Sequence, residues 1–531
     1  MLQVFPEERG LVLDAPPTPQ LLAKLPGAFE LSPMTIGMPH DLEHCIRLAA
    51  LGYSPSAPIE HYYDWPRELT MIPEPFAHQK VTAGFLTIRP RAYCLNDIGT
   101  GKTLSAAWAA DYLMQVGVVQ CALIAAPLST LERVWMDVFF YHLRHRKALV
   151  LHGTAERRRR LLAQPANFYI INHDGVGVIQ KELMARPDIN LVIIDELAVY
   201  RNQKTAKHKA MKDFIYPPKQ TPKPWVWGFT GAPIPNEPTD AYGQCRLVTP
   251  VTVPRYFGQF RAITMEPTHP VAQHRNEPIY NWRPRPEATK IVYEAMRPAI
   301  RYARDECLDL PPVIYQTRDV EMSADQTKHY KEIMRELYTE VRGGRITAVN
   351  EGVKLSKLLQ IACGVVYDVN GVPHEIDPGN RLETLMELIE SVNEKIIVYV
   401  PFTAVTAMLA RELNKHWNFA IVTGETPIKE RNQIFQDFQD PTKKVDLIAH
   451  PGCMAHGLTL TEASTIAWYA PIDSNEIYQQ ANGRVTRPGQ KYTANIVNLA
   501  GSTVERRSYK RLEQRQSTQG LLLDMVQKGE Q

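Results

Sequence analysis

The stretch "LNDIGTGKT" closes on Gly99-x-Gly101-Lys102-Thr103 and follows a short apolar run, "AYC". Glycines at these positions let backbone N–H groups turn toward an anion. A helix opening at Lys102 would add the partial positive charge of its N-terminus. In that setting Asp97, Ile98, Gly99, Thr100 and Gly101 wall a phosphate-binding loop. Lys102 reaches the β and γ phosphates of a nucleotide, and the Thr103 hydroxyl ligates Mg²⁺. The general pattern GxxxxGK[ST] places glycine at position 96, where this chain has Asn96.

Further along, four apolar residues end in a carboxylate pair, "LVIIDELAVY". Asp195 at the end of such a strand can hold Mg²⁺, directly or through water, and Glu196 can orient and deprotonate an attacking water. Thr230-Gly231-Ala232-Pro233, after "WVWGF", either senses the state of the nucleotide or simply leaves a strand. In "YQQANGRVTRPGQ", Gln480, Arg484 and Arg487 stand at i, i+4 and i+7, which predicts one helical face. Guanidinium groups directed at an anion bind it bidentately and stabilise charge in a phosphoryl-transfer transition state.

These residues must be held by something. From about Phe76, short apolar runs alternate with helix-length polar segments: "AYCL", "CALIAA", "ALVL", "FYII", "LVII" and "WVWGF". After a more helical stretch the rhythm returns in "KIIVYV", "FAIV", "VDLIA", "TIAWY" and "ANIVNL". Such runs predict buried parallel strands, hence an α/β chain with two parallel sheets. The expected division is a Pro-rich accessory domain over 1–72 with one helix near 40–51, a first lobe over 73–262, a helical insertion over 263–375 and a second lobe over 376–531. The tail after about 518 reads as mobile.

With 531 residues the chain is too long for one core. A net charge of +3 neither demands nor forbids a nucleic-acid partner. The seven cysteines are scattered without a CxxC pair, against a zinc site or disulfide framework and in keeping with a reducing compartment. No leader pattern and no membrane-length apolar run is visible, so a cytoplasmic protein, in a bacterium or an infected host cell, is expected.

Taken together the motifs resemble those of superfamily 2 helicases with a DEAD/DEAH-type core, and within them the Swi/Snf-like ATPases. The family pattern D-E-x-G-x-G-K-T, A-P-x-S, D-E-x-H, T-G-T-P-x-x-N and Q-x-x-x-R-x-x-R-x-G-Q reads here as "NDIGTGKT", "APLST", "DELA", "TGAPIPN" and "QANGRVTRPGQ", in that order. Ala198 replaces the motif histidine, Ala232 a threonine, and Thr459 an asparagine. The resemblance covers about 73–531; the compact size and the absence of chromatin-reading modules suggest a bacterial or phage protein.

It implies two RecA-like lobes that close on ATP and Mg²⁺. Lys102, Thr103, Asp195 and Glu196 come from the first lobe; Gln480, Arg484 and Arg487 come from the second. Gln79 resembles the adenine-reading glutamine, and Gly457 is a further nucleotide contact. The same resemblance places a nucleic-acid backbone near Ser129, Thr130, Asn172, His173, Thr403, His456 and Thr459. The runs 144–147 and 157–160 fit either a DNA contact or a solvated helix.

The expected activity is ATP-driven translocation on duplex or branched DNA, in repair, recombination or replication, by a monomer without membrane contact. Unwinding of RNA or single-stranded DNA stands as an alternative, and a non-translocating ATP-binding scaffold as another. Residues 1–72 could read DNA structure, bind a partner or buttress the first lobe.

Overall fold

The computed structural model describes residues 2–66, 74–217, 223–274, 277–307, 310–341, 344–347, 351–454, 459–487 and 489–529. The chain divides into two units, residues 1–307 with 518–531, and residues 308–517.

The first unit begins with an antiparallel sheet of β1 (Leu2–Phe5), β2 (Gly10–Asp14), β3 (Phe29–Ser32) and β4 (Thr35–Pro39), in the order β1-β2-β4-β3. The expected helix follows as Leu42–Ala50, with the Asp41 carboxylate capping it through His44 N. The six apolar runs of the first rhythm form β5 (Arg91–Cys94), β6 (Cys121–Ala126), β7 (Ala148–Leu151), β8 (Phe168–Asn172), β9 (Ile189–Ile194) and β10 (Trp225–Phe229). A hairpin of β11 (Met265–His274) and β12 (Glu277–Pro284) precedes a two-residue strand, β13 (Ala299–Ile300).

The order β13-β5-β10-β9-β6-β8-β7 is parallel throughout. Every strand therefore ends at the same edge, so the segments after β5, β9 and β10 emerge side by side. Tight strand pairing explains the unbroken apolar runs: β6 is buried along its whole length.

The second unit repeats the scheme. β14 (Val313–Asp319) is followed by the small hairpins β15 (Tyr338–Val341) with β16 (Gly344–Thr347) and β17 (Val365–Tyr367) with β18 (Pro373–Glu375). The second rhythm forms β19 (Lys395–Tyr399), β20 (Phe419–Val422), β21 (Asp446–Ala449), β22 (Ala463–Trp468) and β23 (Ala494–Ala500). The parallel order is β14-β23-β22-β19-β21-β20. A buried ion pair, Arg381 with Glu505 at 2.6 Å, ties the helix Asn380–Glu390 to the start of the last helix.

Two expectations change. The stretch 263–375 is not uniformly helical, because β13 extends the first sheet and β14 the second; both carry too few buried apolar residues to show as runs. The tail is a helix, Thr503–Gly529, and Leu522, Leu523 and Val526 lie in the core of the first unit.

The helix Lys102–Gln115 follows the glycine-rich loop and is buried almost all round. Asp111 on it is fully buried and receives Tyr63 Oη at 2.7 Å, Gln115 Nε2 at 2.9 Å, His145 Nε2 at 3.0 Å and Arg146 Nε at 2.5 Å. The run 144–147 thus supplies counter-charge to an internal carboxylate. Tyr63 and Trp65, the latter edge-on to Trp108 at 5.6 Å, bring the N-terminal segment onto the same helix. Asp111→Ala leaves these donors without their acceptor and is expected to cost about 3 kcal/mol, read as an earlier urea midpoint for the full chain.

Candidate functional site

β5 stops at Cys94, and the chain runs through 95–101 into the helix at Lys102. Gly99 has φ +91° and Gly101, the helix cap, φ +80°. Both lie in the left-handed region where a Cβ is costly, and at Gly101 a Cβ would also fall onto the Gln79 carboxamide. Lys102 Nζ donates to Asn96 O at 2.8 Å and Asp97 O at 2.9 Å. Thr100 Oγ1 donates to Asp97 O at 2.9 Å, while Thr100 O accepts from His78 Nε2 at 2.9 Å and Gln79 Nε2 at 3.2 Å. Gln79 Oε1 accepts from Phe76 N at 3.1 Å, so its side chain caps its own helix, Ala77–Thr87, and props the loop. Ile98 lies against Gly231, and Thr103 is half-buried in the first helical turn.

Asn96 explains its departure from the glycine pattern. Its carboxamide donates to Thr82 Oγ1 at 3.0 Å and accepts from Tyr302 N at 2.9 Å, two bonds that glycine cannot make. Asp97 pairs with Arg301 at 2.8 Å and accepts from Arg304 N at 3.0 Å. Burial raises the Asp97 carboxyl, but Arg301, the Arg304 N–H and Lys102 outweigh it and hold the group below its ordinary value.

The carboxylate pair emerges from β9. Asp195 N donates to Ala125 O at 2.8 Å, which fixes the strand end. Its Oδ2 accepts from Trp135 Nε1 at 3.1 Å and its Oδ1 from Glu196 N at 3.1 Å. Burial pushes the Asp195 carboxyl above its ordinary value, against the pull of Trp135, Lys102 and the Glu196 N–H. Glu196 has φ +52°, a left-handed backbone rarely tolerated outside glycine. Ala198 is fully buried in the following turn, Leu197–Tyr200. Thr230 N donates to Cys94 O at 3.1 Å, which joins the β10 exit to the loop after β5.

This donor set fits a nucleotide triphosphate with Mg²⁺. Lys102 is held by two carbonyl oxygens of its own loop, a type of contact that a phosphate oxygen can replace. Asp195 is a buried carboxylate within reach of an ammonium's field. Among the described residues no group of three His, Cys, Asp or Glu side chains could by itself hold a metal ion. Mg²⁺ characteristically needs only one or two carboxylates, completing its shell with water and phosphate.

In the second unit the expected single face of Gln480, Arg484 and Arg487 is corrected. The helix is Asn475–Asn482, capped by Gly483, so both arginines lie past its end. Gly483 N still bonds Gln479 O, but Arg484 N bonds Ala481 O at 3.2 Å, so the last turn tightens and the helix ends before the i+4 position. Gln480 and Arg484 are buried, and the Arg484 charge acts on the Tyr399 hydroxyl. Arg487 is half-buried; its Nε donates to Gly483 O at 3.4 Å and its Nη1 to Thr459 Oγ1 at 3.2 Å. Gln490 is structural: its carboxamide donates to Ala463 O and Val485 O at 2.8 and 2.7 Å, and accepts from Lys491 N and Tyr492 N.

The expected backbone contacts divide. Ser129 is exposed after β6, whereas Thr130 is buried with its hydroxyl on Pro127 O at 2.9 Å. Asn172 Oδ1 accepts from Arg158 Nη1 at 3.0 Å, and His173 is buried with Nδ1 facing Tyr200 Oη at 3.2 Å. Arg158 is itself buried, donating to Leu151 O and Gly153 O, and Arg159 pairs with Glu182. The run 157–160 is therefore neither wholly solvated nor wholly free for DNA. Thr403 and Thr459 are exposed. His456 and Gly457 lie outside the described residues. Sequence reasoning missed Trp135 and Arg301: the first reads as core in "LERVWMDVFF", the second as one arginine among many.

The family model for the SNF2-related domain matches residues 93–364, and that for the helicase conserved C-terminal domain matches 380–489. The chain belongs to the SNF2-related family. It is a nucleic-acid-dependent ATPase built on two α/β units, each around a parallel sheet.

Protein p41 of Acyrthosiphon pisum secondary endosymbiont phage 1 is 25% identical over 482 residues, 86% of this chain and 99% of its own. An uncharacterised ATP-dependent helicase of Mycoplasma genitalium is 21% identical over 78% of this chain. The SWI/SNF-related matrix-associated actin-dependent regulator of chromatin subfamily A-like protein 1 of Xenopus laevis is 24% identical over 76%. This SNF2-related ATPase spans only 38% and 39% of the last two relatives. Among the described residues no helix is long and apolar enough to cross a membrane.

Trp135→Phe keeps the ring and removes the donor to Asp195. ATP turnover is expected to fall about tenfold, equivalent to ~1.4 kcal/mol, in a steady-state phosphate-release assay.

Proposed function

We propose that this SNF2-related ATPase hydrolyses ATP to translocate on duplex or branched DNA in repair, recombination or replication. The observation that carries this reading is the common edge of β5 and β9, where the Lys102 loop and the Asp195–Glu196 pair come together.

In this reading the loop amides from Ile98 to Thr103 and the Lys102 ammonium bind the phosphates. Thr103 and Asp195 hold Mg²⁺, which when bound neutralises charge on the phosphate oxygens. Glu196 accepts a proton from the water whose oxygen bonds to the γ phosphorus as the bond to the leaving diphosphate breaks. Arg484 and Arg487 supply guanidinium charge for the transition state, and Gln480 steadies the turn that carries them. Gln79 acts through the loop that its carboxamide props, and Gly457 remains a proposed nucleotide contact.

DNA is the proposed track, met through Ser129, Asn172, Thr403, His456 and Thr459, with the buried Thr130 and His173 acting from behind that surface and not on the phosphates. These are backbone contacts, which are blind to sequence and weaken steeply with salt.

Two measurements test this. Glu196→Gln is expected to lower turnover about a hundredfold or more while ATP still binds. A panel of duplex, forked, single-stranded and RNA activators is expected to stimulate hydrolysis most with duplex or forked DNA; stimulation by RNA alone overturns the choice of track.

A further inference from the structure

The last residues of the first unit before position 308 carry a function the motifs do not announce. β13 pairs with β5, and the chain beyond it runs along the near shoulder of the phosphate loop. Leu95 N donates to Ile300 O at 2.8 Å and Asp97 N to Tyr302 O at 3.0 Å. Tyr302 N returns a bond to Asn96 Oδ1, and Arg304 N one to Asp97 Oδ2.

Arg301 lies at the centre. Its Nη1 meets Asp97 Oδ1 at 2.8 Å, Leu95 O at 3.0 Å and Tyr302 O at 3.0 Å, and the side chain is only 8% exposed. Of the residues it holds, Asp97 also presents a carbonyl to Lys102, and Asn96, which presents the other, is held through its side chain by Tyr302 N.

We propose that Arg301 is a positioning residue for ATP: it keeps the 95–97 shoulder in its phosphate-accepting shape and ties that shape to the segment through which the chain leaves the first unit. The proposal rests on reading 95–103 as the phosphate loop. When Lys102 turns to a phosphate, the carbonyls of Asn96 and Asp97 lose their cation. Thr100 still donates to Asp97 O and Asn96 still bonds Thr82, but the charge that faces this shoulder is then that of Arg301, with Tyr302 N and Arg304 N beside it. A loop without that clasp must be ordered by the nucleotide itself, and the cost falls on binding rather than on the chemical step.

The test compares Arg301→Met, Arg301→Lys and Asp97→Asn with the wild type in the full chain. Steady-state ATP hydrolysis is measured at saturating DNA, and binding of a fluorescent ATP analogue is measured in the Glu196→Gln background. Arg301→Met is expected to raise the KM for ATP and the analogue Kd about tenfold, with kcat within about twofold. Arg301→Lys is expected to recover most of the loss, because one ammonium can serve the three acceptors that Nη1 serves.

Values within about twofold of wild type in Arg301→Met overturn the proposal. So does a loss in kcat alone, or a failure of lysine to rescue, which marks a packing role. If the methionine variant does not fold, Asp97→Asn and Arg301→Lys carry the comparison, and Asp97→Asn with wild-type KM overturns it. A wild type that neither binds the analogue nor hydrolyses ATP instead ends the functional reading, and that is seen before any variant is compared.

Discussion

A loop that turns its N–H groups toward a phosphate cannot be braced from the side it offers. Its carbonyls, its shoulders and its cap must be satisfied from behind, because buried backbone groups left without partners are costly. Most of the first unit's polar detail around the helix Lys102–Gln115 follows from this. His78 and Gln79 take the carbonyl of Thr100, Asn96 bridges Thr82 and Tyr302, and Arg301 clasps Asp97. The helix behind the loop can then be apolar on nearly every side, provided its one buried carboxylate, Asp111, is met by donors from two other segments and by Gln115 of the same helix.

The same logic runs through the carboxylate pair. A parallel sheet delivers strand ends to one edge but leaves their side chains free to turn. Asp195 is turned by an indole N–H and by the amide of its neighbour. Both are neutral donors, so the hydrogen bonds that orient the oxygens come from no cation, and the Lys102 ammonium acts on the group only through its field. In the second unit Gln490 does comparable work on backbone alone, joining β22 to the segment after Arg484. The glutamine that ends the motif thus has a folding role.

What was legible follows what a sequence can encode locally. All eleven apolar runs are strands; nine lie inside their sheets, where burial on both faces requires an apolar run, and β7 and β20 are partly buried edges that still carry one. The glycine-rich loop was legible because positive φ singles out glycine. Illegible were features defined by distant partners. β13 is two residues long and β14 is a partly exposed edge strand, so neither shows a run. Trp135 and Arg301 look like a core aromatic and a surface cation until the segments they touch are known. The helical face predicted for Gln480, Arg484 and Arg487 failed because spacing alone does not register where the hydrogen-bond ladder tightens and stops, here after Asn482. The buried Arg158 hides in a run whose other members face solvent for the same reason: composition reports charge, not direction.

Glu196 sits in a backbone conformation that favours glycine. Relief of that strain would be worth roughly 1 kcal/mol to the folded chain. Folding stability therefore pulls against an acid at this position in every generation, and a carboxylate persists only where the work it does outweighs the pull. Drift toward glycine here in a relative would mark a protein that has kept the architecture and given up the labour.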